Sequence, residues 1–239
     1  MNRDRIAELL EPFLRPPIPS SLPSARLSST QLDHISTYID ILIRWNTRIN
    51  LTAIRDPEEI VTRHFGESLF AARFLFPPNA PVAAAEQAGT GAASHRPALA
   101  DLGSGAGFPG LPIKLWAPQI SLTLIESNQK KATFLREVAR ALTLTDVNIQ
   151  NVRAETLAGS RFQAVTLRAV ERFDSILPIA ASLLGPAGRL ALLIGVSQTT
   201  HARLILPSLA WLEPIPIPNS TSRILLCARR PSEDSEPQS

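Results

Sequence analysis

The chain has 239 residues, of which 44% are hydrophobic and 19% are charged, and its formal net charge is +3. This composition suffices for one large domain, or for one domain with a small addition, and excludes a chain without a buried core. No apolar run reaches the roughly 18 residues of a membrane-spanning helix, and the first stretch, MNRDRIAELLEPF, lacks the uninterrupted apolar region of a secretion signal. We therefore expect a cytoplasmic protein that makes no membrane contact.

Cysteine and histidine are too few and too scattered to predict a disulfide or a metal site, because the chain holds one Cys and four His. The single thiol, Cys227, is expected to be a small buried apolar residue. Of the 24 Lys and Arg residues, three are lysine and 21 are arginine. Arginine suits phosphates and base edges better than lysine does, so nucleic-acid binding is one explanation, and a genome that favours arginine is the other.

The N-terminal part predicts helices. In SSTQLDHISTYIDILIRWN, apolar residues recur at steps of three and four, and these are Leu32, Ile35, Ile39, Leu42 and Trp45. We expect Thr30 and Asp33 to cap this helix, and Trp45 to belong to the core because it lies on the apolar stripe. A second helix is expected after Asp56, an N-cap candidate that precedes Pro57.

The rest of the chain predicts an α/β domain. Residues 77–97 are rich in Ala, Pro and Gly and predict a linker or insertion. After them, short apolar runs alternate with helical stretches near 109–117, 128–142 and 173–184, which predicts a mostly parallel sheet with helices on both faces. WLEPIPIP and SRILLCARR predict an antiparallel hairpin. The expected organisation is a helical cap over 1–76, the insertion, an α/β domain over 98–230 and a disordered acidic tail over 231–239.

A glycine-rich turn, LADLGSGAGFPG at 99–110, follows the first predicted strand of this domain. In an open α/β sheet, ligands bind beyond the carboxyl ends of the strands, and glycine lets main chain approach a ligand closely. The segment GAGFPG matches the G-x-G-x-x-G pattern of dinucleotide folds, and Glu126 lies 21 positions after Gly105, where such a fold places an acid on the ribose. An NAD(P)-dependent dehydrogenase is therefore one candidate.

A second pattern in the same turn is D-x-G-x-G-x-G, from Asp101 to Gly107. A carboxylate before the turn repels a pyrophosphate and attracts an ammonium group, by about 4 kcal/mol for charges about 4 Å apart at an effective dielectric constant near 20. S-adenosylmethionine carries an ammonium group and a sulfonium and no phosphate. This pattern therefore favours S-adenosylmethionine as the ligand, with Glu126 again on the ribose.

Several segments together resemble a known family. DLGSGAGFPGLP, LIESNQKKATFL, VRAE and VTLRAV, preceded by WNTRINLTAI (45–54) and RHFGESL (63–69), are similar in sequence and order to the bacterial 16S ribosomal RNA (guanine-N7) methyltransferase G family, also called glucose-inhibited division protein B. The resemblance implies a Rossmann-like class I methyltransferase with a seven-stranded sheet and a helical cap. It implies methyl transfer from S-adenosylmethionine to N7 of a guanine, with 16S ribosomal RNA or the small ribosomal subunit as partner. Apart from the resemblance, we expect a monomer that holds no metal.

The glycine-rich turn and the resemblance together imply a set of residues that bind the methyl donor. The turn and the strand end after it supply Asp101, Gly105, Gly107 and Glu126, and the resemblance adds Gly103, Phe108, Ala154, Glu155 and Arg168. Phe108 either flanks the adenosine or packs beneath it, and both roles are open. The residues expected to face the RNA are Arg48, Asn50, Arg63 and His64. N7 of guanine carries a lone pair and no proton, so the reaction needs no general base and rests on positioning and electrostatics. No catalytic residue is assigned.

Two positions depart from the family pattern. Many members have a lysine before the glycine that ends the fifth strand, where this chain has Ile194 before Gly195. That ammonium is either absent here or replaced by another cation, such as an arginine. Glu67 stands where the family usually has aspartate. Because the first departure concerns turnover more than cofactor binding, a non-catalytic RNA-binding or ribosome-assembly protein on the same scaffold is a further alternative.

Overall fold

The computed structural model describes residues 1–15, 25–77, 96–157, 159, 161–168 and 172–231. Nearly all of the expected insertion (78–95) and of the expected acidic tail (232–239) lies outside the described residues, so both stay predictions. Within the described ranges, every helix is too short or too polar to span a bilayer.

Eight strands of the described chain form one sheet in the order β3-β2-β1-β4-β5-β8-β6, and β7 also pairs with β8. The strands are β1 (Ala98–Leu102), β2 (Ser121–Ile125), β3 (Val147–Gln150), β4 (Phe162–Arg168), β5 (Leu184–Gly195), β6 (Ala210–Trp211), β7 (Ile215–Pro216) and β8 (Arg223–Arg229). The first five run parallel, and β8 is antiparallel to β5. The strand order reverses between β1 and β4, so the crevice at their carboxyl ends is the expected ligand position.

The sequence predicted this mostly parallel sheet and its antiparallel end, and both are confirmed. The expected number of seven strands was one too low because the WLEPIPIP segment forms two short strands, β6 and β7. Each of them pairs with β8. Pro214 lies between them and has no N–H to donate, which favours a break in the ladder at that point.

Helices cover both faces of this sheet. They are α1 (Arg3–Leu14), α2 (Ser29–Asn46), α3 (Pro57–Glu59), α4 (Glu67–Leu75), α5 (Gly110–Trp116), α6 (Gln129–Ala141), α7 (Phe173–Ser182) and α8 (Thr199–Ile205). The helices expected near 109–117, 128–142 and 173–184 are thus confirmed. A π-helical segment, Ile60–Gly66, joins α3 to α4, and short 3-10 turns occupy Ala154–Leu157 and Val196–Gln198.

The N-cap of one cap-region helix was predicted correctly and that of the other was not. Asp56 caps α3 by accepting from the amide of Glu59 at 2.8 Å, as expected. The cap of α2 is Ser28 and not Thr30: the Ser28 hydroxyl accepts from the Gln31 amide at 3.2 Å, and the Gln31 side chain accepts from the Ser28 amide at 2.8 Å. This reciprocal pair satisfies two amides, and Thr30 and Asp33 lie within α2, past its cap positions.

The buried side chains form two clusters, one on each face of the sheet, because alternate strand residues point to opposite faces. The larger cluster extends from Ile6 in α1 to Leu225 in β8 and joins the cap helices to the sheet. Trp45 packs against this cluster with its ring 5.8 Å from that of Phe134, which supports its expected core role. Cys227 is half-buried on β8, and burial raises the pKa of its thiol to about 11.

Candidate functional site

The glycine-rich turn lies directly beyond the carboxyl end of β1. Gly103, Gly105 and Gly107 have φ angles of 67°, 55° and 86°, in the left-handed region that residues with a Cβ rarely adopt. The Gly103 amide donates to the carbonyl oxygen of Ile125 at 2.9 Å, which ties the turn to the end of β2. The chain therefore folds back sharply at the switch point of the sheet.

Two of these glycines serve different purposes. A Cβ on Gly107 would lie 2.3 Å from the Tyr38 hydroxyl and 2.6 Å from the Leu111 side chain. A Cβ on Gly105 would meet nothing closer than the Gly103 carbonyl oxygen, at 3.7 Å. Gly107 is thus required by packing, whereas Gly105 leaves uncrowded main chain beside the crevice.

Asp101 does not face the crevice. Its carboxylate is fully buried and accepts hydrogen bonds from the Thr166 hydroxyl at 2.8 Å and from the Gly110 amide at 3.2 Å. Burial raises the pKa of Asp101 to about 7, against the opposing effect of these hydrogen bonds. This placement corrects the expectation that Asp101 offers an accessible, ionised carboxylate to the ammonium group of a ligand. Its carboxylate instead joins β1 to β4 and to the start of α5.

Glu126 ends β2 beside the turn. One of its carboxylate oxygens accepts from the Gly105 amide at 2.9 Å, and the other accepts from the Asn128 amide at 2.7 Å. The side chain of Asn151 donates to the Glu126 carbonyl at 2.9 Å, so the end of β3 is fixed to the same position. Each carboxylate oxygen has two acceptor sites, so Glu126 keeps acceptor capacity for a ligand at the position that the sequence predicted.

Phe108 lies within an aromatic cluster. Its ring stacks on that of Tyr38 with centroids 5.3 Å apart and on that of His64 at 4.6 Å, and Phe65 meets it edge-on at 5.1 Å. The ring is buried. Of the two roles left open by the sequence, the structure therefore matches packing beneath the site.

His64 is buried as well, which corrects the expectation that it faces the RNA. Its Nδ1 lies 2.7 Å from a guanidinium nitrogen of Arg168, and its Nε2 lies 2.8 Å from the Thr52 hydroxyl. Because a guanidinium can only donate, Nδ1 accepts and the ring proton resides on Nε2. Burial, together with the charges of Arg168 and Arg63, lowers the pKa of His64 to about 3. The imidazole is therefore neutral and orients Arg168.

Glu67 is the centre of an arginine cluster that the sequence did not predict. Its carboxylate, 1% exposed, lies 3.3 Å from Arg63, 3.1 Å from Arg168 and 2.6 Å from Arg223. Arg168 also donates to the Arg63 carbonyl at 2.6 Å. Burial raises the pKa of Glu67, and the arginines oppose that shift. Arg63 also pairs with Glu59 at 3.5 Å, so three guanidinium groups face two carboxylates and the cluster keeps a net positive charge beside the turn.

Arg223 stands next to the position where many family members have lysine. Ile194 is buried in the core, and its neighbour Gly195 pairs with Arg223 across the β5–β8 ladder. An arginine therefore lies at the end of β5. This agrees with the explanation that another cation replaces the lysine that many family members have in place of Ile194. The pairing of β5 with β8 brings Arg223 to this position, and the predicted hairpin did not include β5.

The remaining predicted residues lie around this centre. Ala154 is buried at the start of the 3-10 turn after β3, and Glu155 beside it is exposed. Arg48 and Asn50 are exposed between α2 and α3. That segment is held by Asn46, whose side-chain oxygen accepts from the Leu51 and Thr52 amides at 2.9 and 3.1 Å. Among the described residues, no group of His, Cys, Asp and Glu is arranged to hold a metal ion.

Comparison with known proteins decides between the candidate ligands of the turn. The sequence profile of the rRNA small subunit methyltransferase G family, GidB, matches residues 31–205. This chain belongs to that family. Ribosomal RNA small subunit methyltransferase G of Xylella fastidiosa (strain 9a5c) is 36% identical over 191 residues, which cover 78% of this chain and 80% of that protein. Its counterpart from Halorhodospira halophila (strain DSM 244 / SL1) is 40% identical over 169 residues, 71% and 72% of the two chains.

Membership in the methyltransferase G family means that the chain is an S-adenosylmethionine-dependent methyltransferase of ribosomal RNA. The NAD(P)-dependent dehydrogenase is thereby excluded. A solved structure with a related fold is the ribosomal protein L11 methylase from Lactobacillus delbrueckii subsp. bulgaricus, with a TM-score of 0.52, 17% identity and coverage of 70% of this chain and 79% of that one. At this identity the likeness supports the class I methyltransferase fold alone.

Proposed function

We propose that this chain transfers a methyl group from S-adenosylmethionine to N7 of a guanine in 16S ribosomal RNA. The observation that carries the proposal is that two features lie side by side at the carboxyl ends of the strands. The uncrowded turn at Gly105 lies beside an arginine cluster with surplus positive charge, and the two are connected through Phe108, His64 and Arg168. A small-molecule site next to a cationic surface is what transfer to a nucleic acid requires.

The methyl donor is assigned to the crevice between β1 and β4. Gly105 supports it because a ligand can approach its main chain, and Glu126 supports it because a ribose diol can donate to the acceptor sites that its carboxylate retains. The full set assigned to the donor is Gly103, Gly105, Gly107, Glu126, Ala154, Glu155 and Arg168, with Asp101 and Phe108 shaping the turn from beneath. When bound, S-adenosylmethionine supplies a methyl group activated by a positively charged sulfur.

The RNA is assigned to Arg48, Asn50 and Arg63, whose side chains reach solvent. Because N7 of guanine has a lone pair and no proton, these residues have only to bind and orient the base and its phosphates. His64 is neutral and buried, so its assigned role is to hold Arg168 and not to accept a proton. In this assignment, residues 1–76 form the cap and residues 98–230 form the methyltransferase domain.

The direct test is transfer of tritiated methyl groups onto 16S ribosomal RNA and onto small subunits from a strain that lacks the enzyme. We expect a single labelled guanine, with the label at N7, detected by chemical cleavage at N7-methylated guanine. Glu126→Gln should weaken S-adenosylmethionine binding, whereas Glu213→Gln, an exposed acid between β6 and β7, should not. Donor binding without methyl transfer to either RNA substrate would instead favour a non-catalytic RNA-binding or assembly protein.

A further inference from the structure

The outer face of α6 carries cations without a protein partner. The side chains of Lys130, Arg136 and Arg140 are exposed, and none of them forms a hydrogen bond or ion pair with the part of the chain that the structure describes. Elsewhere many basic side chains are engaged: Arg5 pairs with Glu58, and Arg15 pairs with Glu11. What distinguishes Lys130, Arg136 and Arg140 from other exposed basic residues of the described chain is that they lie together on one helix.

This surface is concave and includes a fourth cation. Thr133, Arg136, Glu137 and Arg140 line a surface depression of about 250 Å³. Glu137 accepts from Arg44 at 2.5 Å and from the Trp45 indole at 3.0 Å. Its negative charge is thus used within the protein, and it brings Arg44 from the end of α2 to the same place. We call Arg44, Lys130, Thr133, Arg136, Glu137 and Arg140 the α6 face, which holds four cations and one carboxylate.

The position of the α6 face suits a strand of nucleic acid. Helix α6 begins three residues after Glu126, so its first turn adjoins the candidate donor site. At about 1.5 Å per residue, Arg140 lies about 15 Å along the helix axis from Lys130. Arg136 and Arg140 are one turn apart, about 6 Å between their Cβ atoms, and guanidinium groups bind phosphate in bidentate fashion. The face thus presents cations in series away from the site.

We propose that the α6 face binds the phosphate backbone of 16S ribosomal RNA beyond the nucleotide that is methylated. The proposal rests on the proposed function for the identity of its partner. It adds a second contact region, separate from the arginine cluster at Glu67. Phosphate contacts of this kind position a nucleic acid without reading its sequence, so the α6 face sets affinity and orientation, and the crevice selects the base.

The test compares two variants that remove equal charge. Arg136→Gln/Arg140→Gln removes two cations from the α6 face, and Arg26→Gln/Arg229→Gln removes two exposed cations outside it. Binding of 16S ribosomal RNA is measured between about 50 and 200 mM salt. Loss of two phosphate contacts to single-stranded RNA should reduce the slope of log affinity against log salt by about 1.4. KM for RNA should rise, while kcat and S-adenosylmethionine affinity stay unchanged. The control should alter none of these quantities.

A gain-of-charge variant provides a second measurement. Thr133→Lys adds a cation to the middle of the α6 face and should steepen the salt dependence by about 0.7. Equal losses in the two double variants, or an unchanged slope in the first, would overturn the proposal. A loss seen only with assembled subunits and not with naked RNA would assign the face to a ribosomal protein instead. Failure of the wild-type protein to methylate RNA would refute the proposed function. The salt dependence of RNA binding can be measured without methyl transfer, so the two failures are distinguishable.

Discussion

The substitution Gly107→Ala separates the two demands that the turn places on its glycines. At φ of 86° a Cβ costs about 1–2 kcal/mol for backbone strain alone. It would also lie 2.3 Å from the Tyr38 hydroxyl and 2.6 Å from Leu111. Because both neighbours are buried, overpacking adds about 1–3 kcal/mol. The expected loss of unfolding free energy is therefore about 2–5 kcal/mol.

Gly105→Ala is the matched control, because its φ is also positive but its Cβ would have no neighbour closer than 3.7 Å. It should cost only the backbone part, about 1–2 kcal/mol. Equilibrium urea unfolding of both variants measures the difference. If Gly107→Ala is no less stable than Gly105→Ala, to within about 0.5 kcal/mol, the packing explanation is wrong.

A double-mutant cycle with Tyr38→Phe tests which atom causes the clash. The Tyr38 hydroxyl donates to the Ala106 carbonyl at 2.5 Å, so its removal alone should cost about 1 kcal/mol. In the Gly107→Ala background, removal of the hydroxyl also relieves the contact. The double variant should thus be more stable than the sum of the two losses predicts, by at least about 0.5 kcal/mol. Strict additivity would exclude the hydroxyl as the obstacle.

Three further predictions concern buried charge. Burial raises the pKa of Asp101 from 3.8 to about 7, so the folded protein binds this proton more tightly than the unfolded chain does. The unfolding free energy of the wild type, relative to that of Asp101→Asn, should then fall by up to about 4 kcal/mol as the pH rises from about 4 to 7. Urea titrations that show no change across this window would contradict the prediction. The pKa of His64 is lowered to about 3, so its contribution is complete above about pH 6.5 and is lost as the pH falls towards 3. Nitrogen-15 NMR should find a neutral ring at pH 5, with the proton on Nε2, and an imidazolium there would refute the assigned tautomer. Glu67→Gln should destabilise the fold by about 1–3 kcal/mol, a value reduced for the partial exposure of the arginines. Glu67→Asp should cost less in the same urea measurement, and a larger loss for Glu67→Asp than for Glu67→Gln would show that side-chain length, not charge, is decisive.

The sheet and the turn could be predicted from sequence because their determinants are local. Alternating apolar runs and helical stretches define β1 to β5 within short windows, and the pattern from Asp101 to Gly107 lies in a single segment. These local patterns did not predict the direction in which the Asp101 side chain points. Strands of a parallel sheet are buried on both faces, so the pattern does not say whether a polar side chain at the end of β1 faces a ligand or a neighbouring strand.

The arginine cluster could not be predicted because its members come from distant parts of the chain. Glu67 on α4 meets Arg168 at the end of β4 and Arg223 at the start of β8. Periodicity describes each element separately and gives no information on which elements meet. The burial of His64 could not be predicted for the same reason, since its ring is held by Arg168 and Thr52, which lie outside its own helix.

The continuous core that joins Ile6 to Leu225 has a consequence for biosynthesis. A nascent chain emerges N-terminus first, at roughly 5–20 residues per second. The helices before residue 76 leave the ribosome long before β5 and β8, whose side chains complete the cluster that they share. For this interval, about 6 to 24 seconds for the roughly 120 residues from α4 to the end of β5 at that rate, the surface of α4 that packs on β5 lacks its native partner. Helix α1 packs on α2 and α4 and so has these partners early, whereas native packing of α4 awaits translation of β5.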